Sequence, residues 1–361
     1  MKIAIFHDYI ENPGGAEKLI LSIARKLDAT VITTNLNQDA VNEIGFNDVK
    51  IINLGFSPKG FFSKHIGVAS KFFFSDFSKD FDFFIFSGNK SIFASLKHKP
   101  NLWYCHSPER AVFDLYDFYM GKMSLRKKIV FIPGAFFLRL FIIFFSTGIK
   151  TIACNSENVR GRIKNFLGRD SVVITPFIDS SNFYSNPSKE YWLSVNRLYP
   201  AKRIELQLEA FNLLPKEKLV IVGGFVKGDV SEEYFAFLSS KSGQNIEFRG
   251  TVNEKELREL YANCKGLIAT ALDEDFGMTV LEALASGKPV VAVNEGGFRE
   301  ILVHGKTGFL VNATSKELRD AVQSISGNTK TFSEACLKRS NDFSETVFVK
   351  KLSQQMRGAL E

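Results

Sequence analysis

Residues 268–293, IATALDEDFGMTVLEALASGKPVVAV, restrict what this chain can become more than any other stretch. They read as a buried strand, an acidic loop, a short helix and a second buried strand. Ala285-Ser286-Gly287 stops the helix and Pro289 opens the next strand. Two wholly apolar strands joined through a helix run parallel, in a sheet covered on both faces. Ligands of parallel α/β sheets bind outside the carboxyl ends of the strands, where the loop around Glu274 falls. Phe276, Gly277, Met278 and Thr279 form the turn into the helix. First-turn amides have no internal partner and carry partial positive charge, so they suit a phosphate. Glu274 in the loop and Glu282 on the helix, eight positions apart, add acceptors for hydroxyl groups. Amides for phosphates beside carboxylates for hydroxyls describe a nucleotide-sugar site.

The alternation continues along the chain. Strands are expected at 2–9, 29–34, 49–54, 82–87, 100–106, 150–154 and 171–175, and again at 191–195, 218–222 and 245–249. Helices are expected over 16–27, 157–167, 204–213, 231–241 and 253–263, with 315–326, 331–341 and 346–360 closing the chain. A length of 361 residues accommodates two α/β domains with ample cores. A Ser/Asn/Pro-rich linker around Tyr184–Lys189 sets the boundary. The expected division is 1–184, 185–345 and a last helix, 346–361.

Several strand ends carry groups suited to a ligand. Gly14-Gly15 follows the first strand and Gly223-Gly224 the strand 218–222, and paired glycines let backbone approach a ligand closely. Arg197 and Lys202 flank the turn after 191–195, where cations would meet a diphosphate. His106 ends the strand 100–106, with Arg110 just beyond. Alone, each has an ordinary structural reading: a glycine turn, surface cations, a satisfied histidine. Asp273-Glu274-Asp275 also matches a D-x-D metal motif, but that motif is weak and here precedes a helix in the second half.

Together these segments resemble one family. E-x7-E within EDFGMTVLEALASGKPVV looks like the signature of family-4 glycosyltransferases, retaining enzymes with the two-Rossmann GT-B fold. HDYIENPGGAEKL and YCHSPERAVFD are similar to segments of bacterial family-4 mannosyltransferases of O-antigen and polysaccharide assembly, and R-L-x-x-x-K to the family's diphosphate-binding pair. The resemblance implies two Rossmann-like domains facing a cleft, with the C-terminal helix returning to the first. It implies catalytic roles for His106, Glu274, Arg197 and Lys202, and donor binding by Glu282, residues 276–279, Gly223 and Gly224. Gly14, Gly15 and Arg110 would meet the acceptor. No metal and no cofactor are expected. The donor would be GDP-mannose, with UDP-hexoses open, and the acceptor a saccharide on polyprenyl diphosphate or another lipid. The alternatives are a nucleotide-sugar epimerase on the same scaffold, and a non-catalytic membrane- or RNA-binding protein. No RNA-binding signature is present, so no nucleic-acid partner is expected.

Charge and aromatics are unevenly distributed. Residues 1–180 hold 23 Lys+Arg against 16 Asp+Glu, and residues 181–361 hold 23 of each, so the whole excess of +7 lies in the first half. Of 36 Phe, 24 precede residue 181. The stretches 56–77, with Lys59, Lys64 and Lys71, and 124–147, opening on Arg126-Lys127-Lys128, are either buried core or a surface for anionic lipid. The second is interrupted by Arg139 and expected to break at Pro133-Gly134, and no uncharged run of eighteen apolar residues exists, so no spanning helix is expected. Cys105, Cys154, Cys264 and Cys336 form no C-x-x-C pair and read as buried reduced thiols. The expected location is the cytoplasmic face of a membrane.

Overall fold

The computed structural model describes residues 1–11, 14–58, 61–225 and 230–361. Asn12 and Pro13 of the first turn, and Lys59 of the aromatic stretch, lie outside these residues. The chain divides into two compact units, Met1–Pro176 with Thr346–Glu361, and Phe177–Glu345.

The first unit is built on seven strands: β1 (Ile3–Tyr9), β2 (Thr30–Thr34), β3 (Ile51–Asn53), β4 (Phe83–Ser87), β5 (Asn101–Cys105), β6 (Thr151–Cys154) and β7 (Val172–Val173). They lie in the order β3-β2-β1-β4-β5-β6-β7, every pair parallel. β7 is shorter than the sequence suggests, since it is an edge strand with Pro176, which lacks an amide, just beyond it. β4 and β5 are buried at every position, as a sheet covered on both faces requires.

Much of the phenylalanine excess goes into this core. Phe6 lies 5.3–6.2 Å, centroid to centroid, from Phe72, Phe77, Phe84 and Phe86. His98 fills the same layer, 4.9 Å from Phe6 and from Phe84; one ring nitrogen accepts the Phe77 amide at 2.9 Å and the other donates to the Ala94 carbonyl at 2.8 Å. From Thr346 on, the helix Glu345–Leu360 belongs to this unit, and its Phe348 packs 5.6 Å from Tyr104.

The stretch 124–147 differs from expectation. It does not break at Pro133-Gly134 but forms one helix, Leu125–Ser146. A proline removes a single ladder bond, and Phe131 and Ala135, buried on either side, hold the helix through it. By length and composition this helix is long and apolar enough to cross a membrane, and 28% of its most apolar window is buried. Phe131, Ala135, Ile142 and Phe145 face the core. The other faces leave ten large apolar side chains exposed, among them Ile129 (74%), Phe136, Phe137, Leu140, Phe141 and Phe144 (56%). Arg139 is turned inward: it donates to the Val112 carbonyl and its guanidinium lies 4.4 Å over the Tyr116 ring. Phe73 and Phe74, at the end of the helix Phe61–Phe74, are also exposed, with Phe73 against Phe145.

The second unit carries β8 (Tyr191–Val195), β9 (Lys218–Val222), β10 (Ile246–Gly250), β11 (Leu267–Ala269), β12 (Val290–Val293) and β13 (Gly308–Val311). All are parallel, in the order β10-β9-β8-β11-β12-β13. The stretch 184–189 is fastened to this unit: buried Lys288 donates to the Asn186 carbonyl at 2.8 Å, and Asn186 donates its amide to the Ala262 carbonyl. All four cysteines are free and buried, and burial raises Cys154 to about 11, Cys264 to about 12 and Cys336 to about 12.

Candidate active site

In the second unit the chain winds outward from β8 to β10, then returns to begin β11 on the other side of β8. Loops leaving β8 and β11 therefore diverge, and a ligand crevice belongs between them. The first loop carries Arg197 and Lys202, the second Glu274.

The structure brings Lys202 and Glu274 into contact. Lys202 Nζ donates to Glu274 Oε2 at 2.6 Å, with the side chains 30% and 18% exposed. The backbone beneath is rigidly tied. The Leu272 amide donates to the Ala201 carbonyl at 2.8 Å, and the buried Thr270 hydroxyl lies 2.8 Å from the Lys202 carbonyl. Buried Gln207 donates to that hydroxyl at 2.8 Å.

Arg203, next to Lys202, has a different task. Its backbone is left-handed (φ 49°), and its guanidinium grips Glu295 at 2.7 and 3.1 Å and the Thr270 carbonyl at 2.8 Å. Glu295 also accepts the Asp273 amide at 3.2 Å. Arg203 thus braces three loops. Gly296 and Gly297 complete the support, because a Cβ on Gly296 would lie 2.4 Å from the Glu274 carbonyl oxygen, and the Gly297 amide donates to that oxygen at 2.8 Å.

Glu274 leads into the helix Met278–Ala285, whose N-cap, Gly277, sits at φ 114°. Phe276 is buried against Phe343, so it anchors the turn, and the first-turn amides face the loop end. Glu282 accepts the hydroxyl of Tyr261 at 2.7 Å. Tyr261 is buried, and burial first, then Glu282, holds its phenol well above the usual range, so it stays a donor. Tyr261→Phe is expected to raise the donor KM about threefold to tenfold while leaving kcat within about twofold, measured by steady-state kinetics.

Gly223, at φ 138°, closes this half. A Cβ there would sit 1.6 Å from the Asn196 carbonyl oxygen, while a Cβ on Gly224 would meet Thr251 Oγ1 at 2.6 Å. Only glycine lets β9 end against the start of the Arg197 loop. Gly223→Ala is expected to cost about 3 kcal/mol or more, seen as a large fall in Tm.

In the first unit the reversal lies between β1 and β4. His106 follows β5, is partly exposed, and has its ring between Tyr104 and Ser87. Burial, then neighbouring His7, pushes its imidazole down to about 3, so the ring is neutral across the working range. Transfer is accordingly expected to show no acid limb from this histidine between pH 8 and pH 5, measured as kcat against pH; a limb near pH 6.5 that His106→Asn removes would contradict this assignment.

The Gly14 amide is taken by Glu17, which accepts it at 2.8 Å at the start of the helix Gly15–Leu27. Arg110 is drawn into pairing with Asp114 at 2.8 Å, and Asp114 is also 3.4 Å from Arg162. The sequence reading overlooked the groups around them. Asp8 accepts the amides of Asn89, Lys90 and Ser91 at 2.8–3.0 Å, capping the turn after β4. Buried Lys90 pairs with Glu109. Burial opposes both charges, yet Lys90 keeps the Glu109 carboxyl below its ordinary value and Glu109 keeps the Lys90 ammonium above its own. HDY and HSPE carry half of this cluster in the sequence, but only the fold joins Lys90 to them.

Comparison with known proteins adds to this geometry. Residues 178–342 match the family model described as "Glycosyl transferases group 1". The chain is 27% identical to the alpha-1,3/1,6-mannosyltransferase ALG2 of Dictyostelium discoideum, across 98% of this chain and 97% of that protein. It is 33% identical to a probable sucrose-phosphate synthase of Thermosipho melanesiensis, over 46% of this chain and 42% of that one. Among solved structures, Alr3699/HepE of Anabaena in complex with UDP and glucose superposes with a TM-score of 0.81, at 18% identity, over 99% of this chain and 100% of that one. Sucrose-phosphate synthase of Thermosynechococcus elongatus does so with 0.78, at 15% identity, over 99% of each.

Proposed function

We propose that this chain, which has the GT-B fold, is a glycosyltransferase with a nucleotide-sugar donor that moves a hexose, mannose favoured, to a lipid-linked saccharide with retention at the anomeric carbon. The Lys202–Glu274 contact at the β8/β11 reversal carries this reading. A sugar diphosphate laid across that reversal has its charge met by Lys202, Arg197 and the amides at 276–279. Glu282 takes the ribose hydroxyls and Glu274 the sugar hydroxyls. As the bond to the anomeric carbon lengthens, negative charge grows on the departing diphosphate, and fixed cations stabilise that charge more than the ground state. His106 is given the catalytic role that the resemblance implies, towards the transferred sugar, and the acceptor attacks the face that the diphosphate vacates. Two cations already serve the leaving group, so no metal is obligatory, and chelation with EDTA is expected to leave the rate within about twofold.

The mannosyltransferase likeness over nearly the whole chain supports mannose, and GDP is the favoured base, with UDP-hexoses the second candidate. A thermal-shift screen against GDP-, UDP- and dTDP-sugars tests this. At about 100 times Kd the correct donor adds about 2.7 kcal/mol of stability, and stabilisation by none of them would remove the reading. The exposed face of the helix Leu125–Ser146 supports the lipid-linked acceptor and a site of action on a membrane surface, because so large an apolar area marks an interface. The helix keeps one face in the protein core, which favours docking on the surface over crossing it.

A further inference from the structure

His106 does not stand alone. Ser87 Oγ lies 2.8 Å from His106 Nε2 and 3.0 Å from His7 Nδ1. The three residues come from neighbouring parallel strands: His7 pairs in register with Ser87, and Ser87 with Tyr104, two residues before His106. Ser87 is wholly buried and His7 nearly so. Tyr104 packs edge-on to the His106 ring at 5.3 Å, and Asn155 donates to the His106 carbonyl at 2.9 Å, so both ring and backbone are held.

A hydroxyl has one proton, and each neutral imidazole has one. Among the described residues the Ser87 hydroxyl has no other acceptor, so it donates to one ring and accepts from the other, and two orderings satisfy both contacts. In one, His7 Nδ1–H donates to Ser87 Oγ and the Ser87 hydroxyl donates to His106 Nε2. In the other, His106 Nε2–H donates to Ser87 Oγ and the hydroxyl donates to His7 Nδ1. The first puts a proton on Nδ1 of both histidines, the second on Nε2 of both. We propose that Ser87 and His7 are positioning residues that fix the His106 ring and couple its tautomer to that of His7. The outward His106 Nδ1 is then a donor in the first ordering and an acceptor in the second. A residue whose ring lies 6.4 Å away thereby decides which kind of group the sugar meets. This rests on the reading of His106 as a sugar-facing group.

The test has one arm that needs no donor. In the full chain with 15N-labelled histidine, five rings are observed, and the ring-nitrogen shifts report each tautomer. The expected spectrum shows His7 and His106 in the same tautomer. Ser87→Ala releases His106 into exchange between tautomers, and His7→Phe does the same from the far end of the chain. Ser87→Ala also lowers kcat on the order of tenfold, with the donor KM within about twofold. Opposite tautomers in the native protein, or a His106 tautomer unchanged in both variants, would overturn the proposal. His7→Phe keeps it testable if Ser87→Ala does not fold. Coupled tautomers without any sugar transfer would sink the proposed function and leave the coupling standing. Transfer with an unchanged kcat in Ser87→Ala would do the reverse to the positioning role.

Discussion

Lys202→Ala is expected to lower sugar transfer by about two orders of magnitude or more, and Glu274→Ala by a similar factor. The two side chains touch at 2.6 Å in a site about three-quarters closed to solvent, so each is partly desolvated and neither is an ordinary surface charge. On the proposed reading, loss of the lysine removes a cation that meets the leaving diphosphate, and it breaks the contact with Glu274. The loss belongs in kcat, because charge on the diphosphate develops as the bond breaks. Tm is expected to fall little, since Arg203, Glu295, Thr270 and Gln207 hold the loops without Lys202. Lys202→Arg, which keeps the charge and changes the shape, is expected to recover part of the rate. Arg203→Ala separates the roles: it should cost stability and activity together, as removal of a brace does.

The second large effect concerns the helix Leu125–Ser146. Replacing Phe136, Phe137, Phe141 and Phe144 together by Ser is expected to abolish co-flotation with anionic vesicles. Each ring is about half exposed. Half-immersing a phenylalanine gains about 1 kcal/mol, so four such losses amount to about 4 kcal/mol, close to a thousandfold in partitioning. Arg126, Lys127 and Lys128 at the helix start should each add about 1 kcal/mol on anionic lipid, which makes binding depend on salt and on lipid charge. Arg139→Ala is expected to leave vesicle binding intact, because that arginine already points into the protein. The quadruple variant should retain its Tm and its activity on a water-soluble acceptor. Undiminished flotation by that variant would show that the exposed face serves something other than lipid.

Which of these features the sequence revealed follows from the range of the interaction. The strand–helix alternation was legible because a parallel sheet buries each strand on both faces and leaves apolar runs such as LIA and VVAV. Glycine turns at strand ends marked the carboxyl edge. Lys202 and Glu274 were each readable from their local turns, but their contact joins positions 72 apart and depends on which strands are neighbours. The Arg203–Glu295 brace spans 92 positions and left no local signal. Tyr261 is an ordinary aromatic of an amphipathic helix until Glu282 is set beside it. His7 and Ser87 lie on two strands and His106 just beyond a third, and no local pattern specifies the order of those strands. Pro133 misled for the opposite reason: a local breaker was overruled by packing on both sides of it.

The most direct test of this account is a structure of the protein with its nucleotide sugar bound. The diphosphate is expected within hydrogen-bonding distance of Lys202 and Arg197, the ribose hydroxyls on Glu282, and the sugar hydroxyls on Glu274. A ligand seated away from Lys202, Glu274 and Glu282 would contradict it.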